Sequence, residues 1–361
     1  MAVETLPPLS VHAVLTHWQV APVVGVVVAV SGALYGWGVL RVRRRHPARP
    51  WPLRSSAAFA AALAVLVVAT MSGIAGYAQV LFWIHMVQHI LLIMVVPLLA
   101  LLGRPLTLLL HASRNPLHTQ VKRVLRSRVV AVLTHPLVAL SLYAIAVVGT
   151  HLTGFANLAV TSPVAGAGER VLYVVAGLVF FLPLVGREPI RWRLVGPMRI
   201  FVIALAMPLD TFTGVILNQT DRAPFPAYAV HRDWGPSPVA DLHAGGAVMW
   251  IGGDGIMAVL FVLAFAAWAR QRTVADQGAG AWIEQSRRRE LAAKTGATEA
   301  RARPADTDEQ LAAYNAYLAR LAGARTGRGP QPPPSSQRAV SKRPTSVDTV
   351  DEALPGAERT T

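Results

Sequence analysis

Residues 80–102 read V-L-F-W-I-H-M-V-Q-H-I-L-L-I-M-V-V-P-L-L-A-L-L, a run without a single Asp, Glu, Lys or Arg. At about 1.5 Å per residue it is long enough to cross a hydrocarbon core of roughly 30 Å as one helix. It is not uniformly apolar. His85 and His89 stand four residues apart, which puts both imidazoles on one face of that helix. Ionisable groups in a span are costly and mark function by default. The run therefore places the chain in a membrane and points to a polar face within it.

Working outward, six more apolar stretches lie near 20–40, 54–76, 129–151, 170–187, 198–218 and 243–269. Composition agrees. Of 361 residues, 53% are hydrophobic and 15% charged, against roughly 25% charged in an ordinary soluble chain. Too little polar surface is available to cover that apolar mass in water. Cysteine is absent, which excludes disulfides, thiolate metal sites and thiol nucleophiles. The expected fold is all-α: a polytopic membrane helical bundle of about seven transmembrane helices.

The net charge of +15 would suit nucleic acid in a soluble protein. Here its distribution argues for loops instead. Up to position 269 there are 19 Lys and Arg, and 16 of them fall in alternate loops: Arg41–Arg54, Arg104–Arg128 and Arg187–Arg199. By the positive-inside rule these loops are cytoplasmic, the N-terminus is outside and the C-terminus is in the cytoplasm. The expected organisation is an extracytoplasmic segment 1–19, a seven-span domain 20–269, a cytoplasmic tail 270–324 with short helices, and a disordered tail 325–361. The expected helix in the tail is 308–323, where Leu311, Tyr314, Leu318 and Leu321 share a face. The Arg287–Arg289 triplet is a candidate contact for anionic lipid.

That orientation puts His85 and His89 in the outer half of the third span, His151 at the outer end of the fourth and His243 at the outer start of the seventh. Four imidazoles on three helices at one depth form a candidate metal site. Asp210 and Asp241 are candidates to orient them, and Met86 and Met249 offer thioethers nearby. H-M-V-Q-H lacks the Glu of the zinc-protease H-E-x-x-H, so no hydrolytic base accompanies the pair. Imidazole with thioether and no thiolate suits copper, and zinc or iron is acceptable. His pairs could instead clamp a haem in a b-type or quinol oxidoreductase. Against this, no second His set lies at the other depth. A permease would need ligands across the membrane, and a retinal Schiff base would need a Lys within a span. The three lysines, Lys122, Lys294 and Lys342, all lie outside the spans.

The run H-M-V-Q-H-I-L-L-I-M-V-V-P-L-L-A-L-L-G-R-P (85–105) resembles the signature of the CtaG family of multi-span cytochrome c oxidase assembly proteins. D-L-H-A-G-G-A-V-M-W-I-G-G-D (241–254) is similar to its last block, and P-L-V-G-R-E-P (183–189) to a middle one. The resemblance covers roughly residues 60–270. It implies a non-enzymatic protein of the bacterial cell membrane, with cytochrome c oxidase subunits as partners and copper as cargo. Carried over residue by residue it supports His85, His89, His151 and His243. Many family members carry further His where this chain has Glu169-Arg170, so its ligand set is expected to be thinner or different.

Overall fold

The structure is a computed structural model. It describes residues 6–48, 50–185, 188–222, 224–228, 234–295, 315–316 and 318–321. Among the described residues there is no strand. Six helices among the described residues are long and apolar enough to cross a membrane, and a seventh span is made if a pair bent by 72° counts as one. We name them α1 (Pro22–Arg45), α2 (Leu53–Met71), α3 (Phe82–Ala112), α4 (Pro136–His151), α5 (Pro163–Val185), α6 (Pro197–Asn218) and α7 (Pro238–Thr273). The chain divides into two compact units, residues 1–274 and 275–361. In the second, the described residues are helical. Most of the expected helix 308–323 and all of the expected disordered tail 325–361 lie outside the described residues.

Three boundaries differ from expectation, each for a local reason. The fourth span was expected over 129–151. It is instead a short helix, Arg128–Leu133, and then α4, because Pro136 sits at a helix start where its missing N–H is harmless. With only 16 residues, α4 reaches span length by joining Phe155–Thr161 across a 72° bend. α5 begins at Pro163 rather than 170, again on a proline, and so carries Glu169 inside the span. α7 begins at Pro238 rather than 243, which puts Asp241 in its first turn.

The most buried span is α3, with α2, α5 and α7 against it. It is not a plain α-helix. Residues Leu91–Val95 form a π-turn in which the Val96 N–H bonds to the Leu91 carbonyl. Pro97 follows and has no N–H to give to Ile93, four residues earlier. The freed Ile93 carbonyl faces Gly177 of α5. A methyl group at Gly177 would overlap that oxygen outright and approach Pro97 Cγ to 2.7 Å. Absence of a side chain at 177 is thus what lets α5 seat against the irregular middle of α3. A second close approach joins α6 to α7, where a Cβ at Gly214 would meet the Gly246 carbonyl oxygen at 2.7 Å.

Beyond Leu102 the helix turns at Gly103-Arg104, with Arg104 at φ 53°, and restarts at Pro105. The restarted piece packs on α1, and the Tyr35 hydroxyl donates to the Gly103 carbonyl at 2.8 Å. Glu188 caps it from another segment. Its carboxylate accepts from the N–H groups of Leu106 (3.2 Å) and Thr107 (2.7 Å) and from the Thr107 hydroxyl (2.6 Å). Burial still pushes the Glu188 carboxyl above its ordinary range.

Gly177→Ala is expected to lower the detergent-solubilised protein's melting temperature, through an overpacking cost of about 1–3 kcal/mol or more. Gly168→Ala, on the same helix with nothing within 4 Å, should leave it unchanged or raise it slightly. Equal melting of the two variants would contradict this account of the α3–α5 contact.

Candidate metal centre

His85 and His89 lie on the first helical stretch of α3, Phe82–Ile90, and both are buried. Their rings are 4.0 Å apart between centroids. Glu169 of α5 reaches them from the side. Its Oε2 is 3.6 Å from His85 Nε2 and 3.5 Å from His89 Nε2. The ligand atoms of these three residues all lie within 4.8 Å of one another, and among the described residues this is the group that could hold a metal ion. Glu169 is 2% exposed. His85 Nε2, His89 Nε2 and Glu169 Oε1 are buried without a hydrogen-bond partner. Buried polar atoms are almost always satisfied, so orphans converging on one point fit a cation among them.

His151 joins the cluster, but through another imidazole. Its Nδ1 lies 2.6 Å from the Val147 carbonyl, which can only accept, so Nδ1 carries the proton. In the neutral ring its Nε2 is then an acceptor, and it lies 3.1 Å from His89 Nδ1. His89 therefore donates from Nδ1 and keeps a lone pair on Nε2, the atom that faces Glu169. The chain Val147–His151–His89 selects the tautomer that a metal ligand needs. His151 was expected among the candidate ligands; the structure places it behind His89. The 3.1 Å contact also leaves no room for a haem plane between these two rings.

The other expected residues separate into those that meet the cluster and those that do not. His243 does not join it: its Nε2 bonds to the Thr220 carbonyl at 3.1 Å, and its own carbonyl accepts from Asn218. The half-turn between His243 and the α3 face is filled by Gly245 lying against Phe82 and Met86. Asp241 is fully buried and serves the main chain. Its two carboxylate oxygens accept from the main-chain N–H groups of Phe82 (2.9 Å) and Trp83 (3.1 Å). It caps, from α7, the helix that bears both histidines and puts negative charge at that helix's positive end. Asp210 accepts from the Tyr143 hydroxyl at 2.9 and 3.2 Å. Met86, Met249 and Asp210 line a small cavity beside His89 and His151. His12 and His17, before α1, are exposed and stay apart.

Glu169 is the residue of this cluster absent from the candidates expected from the sequence. The fifth span was taken to begin one residue after it, so the carboxylate was assigned to a loop. A signal was present nonetheless, because the family resemblance leads one to expect His at Glu169-Arg170. Gln88, between the two histidines, is structural: its Nε2 donates to the Ala69 carbonyl at 2.6 Å and straps α3 to α2.

Residues 33–271 match the family described as cytochrome c oxidase caa3 assembly factor (CtaG). The chain belongs to that family. Uncharacterized proteins of Mycobacterium bovis and Mycobacterium tuberculosis are each 29% identical to it over 330 residues, covering 88% of this chain and 46% of theirs. A Mycobacterium leprae protein is 27% identical over 277 residues, covering 74% of this chain and 42% of its own. The chain thus spans less than half the length of the curated relatives it matches. No solved structure matches it. The family is described as an assembly factor of cytochrome c oxidase, and the three blocks that resemble it map onto structural joints. The first block carries the histidines and the π-turn, the middle one ends in the Glu188 cap, and the last opens with the Asp241 cap.

Asp241→Ala should cost about 0.5–2 kcal/mol through loss of the cap. It should also raise amide exchange at Phe82 and Trp83 while sparing the piece capped by Glu188. Unchanged exchange at those two amides would contradict the capping role.

Proposed function

We propose that this chain serves the assembly of a haem–copper oxidase by holding a copper ion at His85, His89 and Glu169 and passing it to an oxidase subunit. The observation that carries this reading is the convergence of two imidazole Nε2 atoms and a carboxylate, orphaned and buried, between two membrane helices. Imidazole with carboxylate is a borderline donor set, acceptable to divalent copper and also to zinc. The family's description names the assembly of a cytochrome c oxidase. A carboxylate offsets the ion's charge in a setting where hydrocarbon supplies none. Three ligands rather than four leave a position open for exchange, which suits transfer more than storage.

The charge asymmetry of the loops supports an orientation with the Phe82 end of α3 toward the extracytoplasmic face. An ion entering from that side would meet His85 first and His89 one turn deeper. The role is non-catalytic, in a multi-pass protein of the bacterial plasma membrane that contacts oxidase subunits within the lipid. The relay through His151 supports the same reading, since it keeps His89 Nε2 free of a proton at no cost to a metal.

The test is copper content of the purified full chain, wild type against His85→Ala/His89→Ala, paired with oxidase activity in cells carrying each version. Loss of copper together with loss of oxidase activity is expected. Equal copper in both would overturn the site, and full oxidase activity with the double variant would overturn its role. His151→Phe should weaken copper binding by about 10–100-fold while keeping the stoichiometry. A variant that binds as tightly as wild type would show that the tautomer relay is irrelevant.

A further inference from the structure

Beside the histidines lies a cavity of about 20 Å³, lined among others by Met86, Met94, Met249, His151, Tyr173 and Asp210. It is large enough for one water-sized occupant. Methionine is the side chain that normally closes such gaps, because its flexible thioether adapts to irregular space. Here three buried methionines, of eight in the chain, surround the gap and leave it open.

The π-turn explains how two of them come to share a wall. At about 100° per residue, positions eight apart in an α-helix differ by about 80° around the axis. The π-turn at Leu91–Val95 begins after Met86, includes Met94 and widens the turn that leads to it. This brings the eighth residue nearly into phase with the first. Met249 arrives from α7, whose glycine face lets it approach: a Cβ at Gly245 would meet Met86 Cγ at 3.3 Å, and one at Gly253 would meet Asp210 Cγ at 3.3 Å. Asp210 is 3% exposed, and the Tyr143 hydroxyl holds its carboxylate in place.

We propose that this cavity is a second cation position, taking a soft monovalent ion through the thioethers of Met86, Met94 and Met249 with Asp210 as the counter-charge. It rests on the reading of copper as cargo and adds a chemically distinct position beside the first, for copper that arrives already in the cuprous state, with no change of oxidation state between the two. The two positions differ in kind. Imidazole and carboxylate suit a divalent ion, whereas thioethers select the cuprous state. One carboxylate balances one positive charge, which matters where solvent cannot screen it.

The probes are Ag⁺, a redox-inert stand-in for cuprous ion, and Cu²⁺, each titrated into the purified full chain. Variants are Met86→Leu/Met249→Leu, which keeps volume and apolarity, and His85→Ala/His89→Ala. Wild type is expected to bind Ag⁺ with sulfur neighbours in its X-ray absorption spectrum. The leucine variant should lose Ag⁺ affinity by more than the roughly 10–100-fold that follows removal of a mere outer partner, and it should keep its Cu²⁺ binding. An unchanged Ag⁺ affinity in the leucine variant, or a wild-type spectrum without sulfur, would overturn the proposal. Cu²⁺ binding that is insensitive to the histidine variant would overturn the His/Glu reading alone, and the silver arm would still decide the cavity.

Discussion

A carboxylate inside a membrane-spanning bundle costs several kcal/mol unless donors or a cation meet it. Glu169 meets two imidazole Nε2 atoms at 3.5 and 3.6 Å. Much of the bundle can be traced to keeping those three groups in place. α3 is the most buried span because it presents the two imidazoles, and α5 must come close enough to bring the carboxylate. The approach depends on Gly177, where the proline-freed Ile93 carbonyl occupies the space a side chain would need. Site and helix packing are therefore one problem, since loosening the α3–α5 contact would draw Glu169 away from the imidazoles.

Two further carboxylates hold α3 from elsewhere in the chain. Asp241, in α7, caps Phe82 and Trp83, and Glu188, after α5, caps the piece that restarts at Pro105. Neither helix start has a capping side chain of its own. In water such ends are solvated, whereas here they are wholly or partly buried, and an unsatisfied N–H would be expensive. Capping from a distant segment satisfies the backbone and ties the segments together. His151 performs an analogous service for a side chain, fixing the proton on His89 by passing a hydrogen bond back to the Val147 carbonyl.

Much of this was legible in residues alone, though unevenly. The spans, the shared face of His85 and His89, and the likeness of 85–105 to the family signature could all be read directly. Local chemistry carries those signals, since apolar length, helical period and an unbroken motif need no partner. How the candidate side chains group was read only in part. His243 shared the right depth but bonds to the Thr220 carbonyl, and His151 met His89 rather than a metal position. Depth along a helix follows from sequence position, but rotation about its axis depends on the neighbours. Glu169 was lost to an error of seven residues in where α5 begins, because small residues between Pro163 and Glu169 look loop-like in isolation.

The sequence by itself determined that this is a helical membrane protein of the CtaG family with a histidine pair on one face of its third span. Those properties reside in hydropathy and in short-range spacing, which any fold must respect. Only the tertiary structure decided that a carboxylate completes the pair, that Asp241 and Glu188 serve main-chain amides and that Met86, Met94 and Met249 meet around one gap. The hydrogen bond from the Phe82 N–H to Asp241 joins residues 159 positions apart. Such pairings depend on how far each helix can rotate and how closely it can approach, and those are set by Gly177, Gly214 and Pro97 acting together rather than by any one stretch of chain.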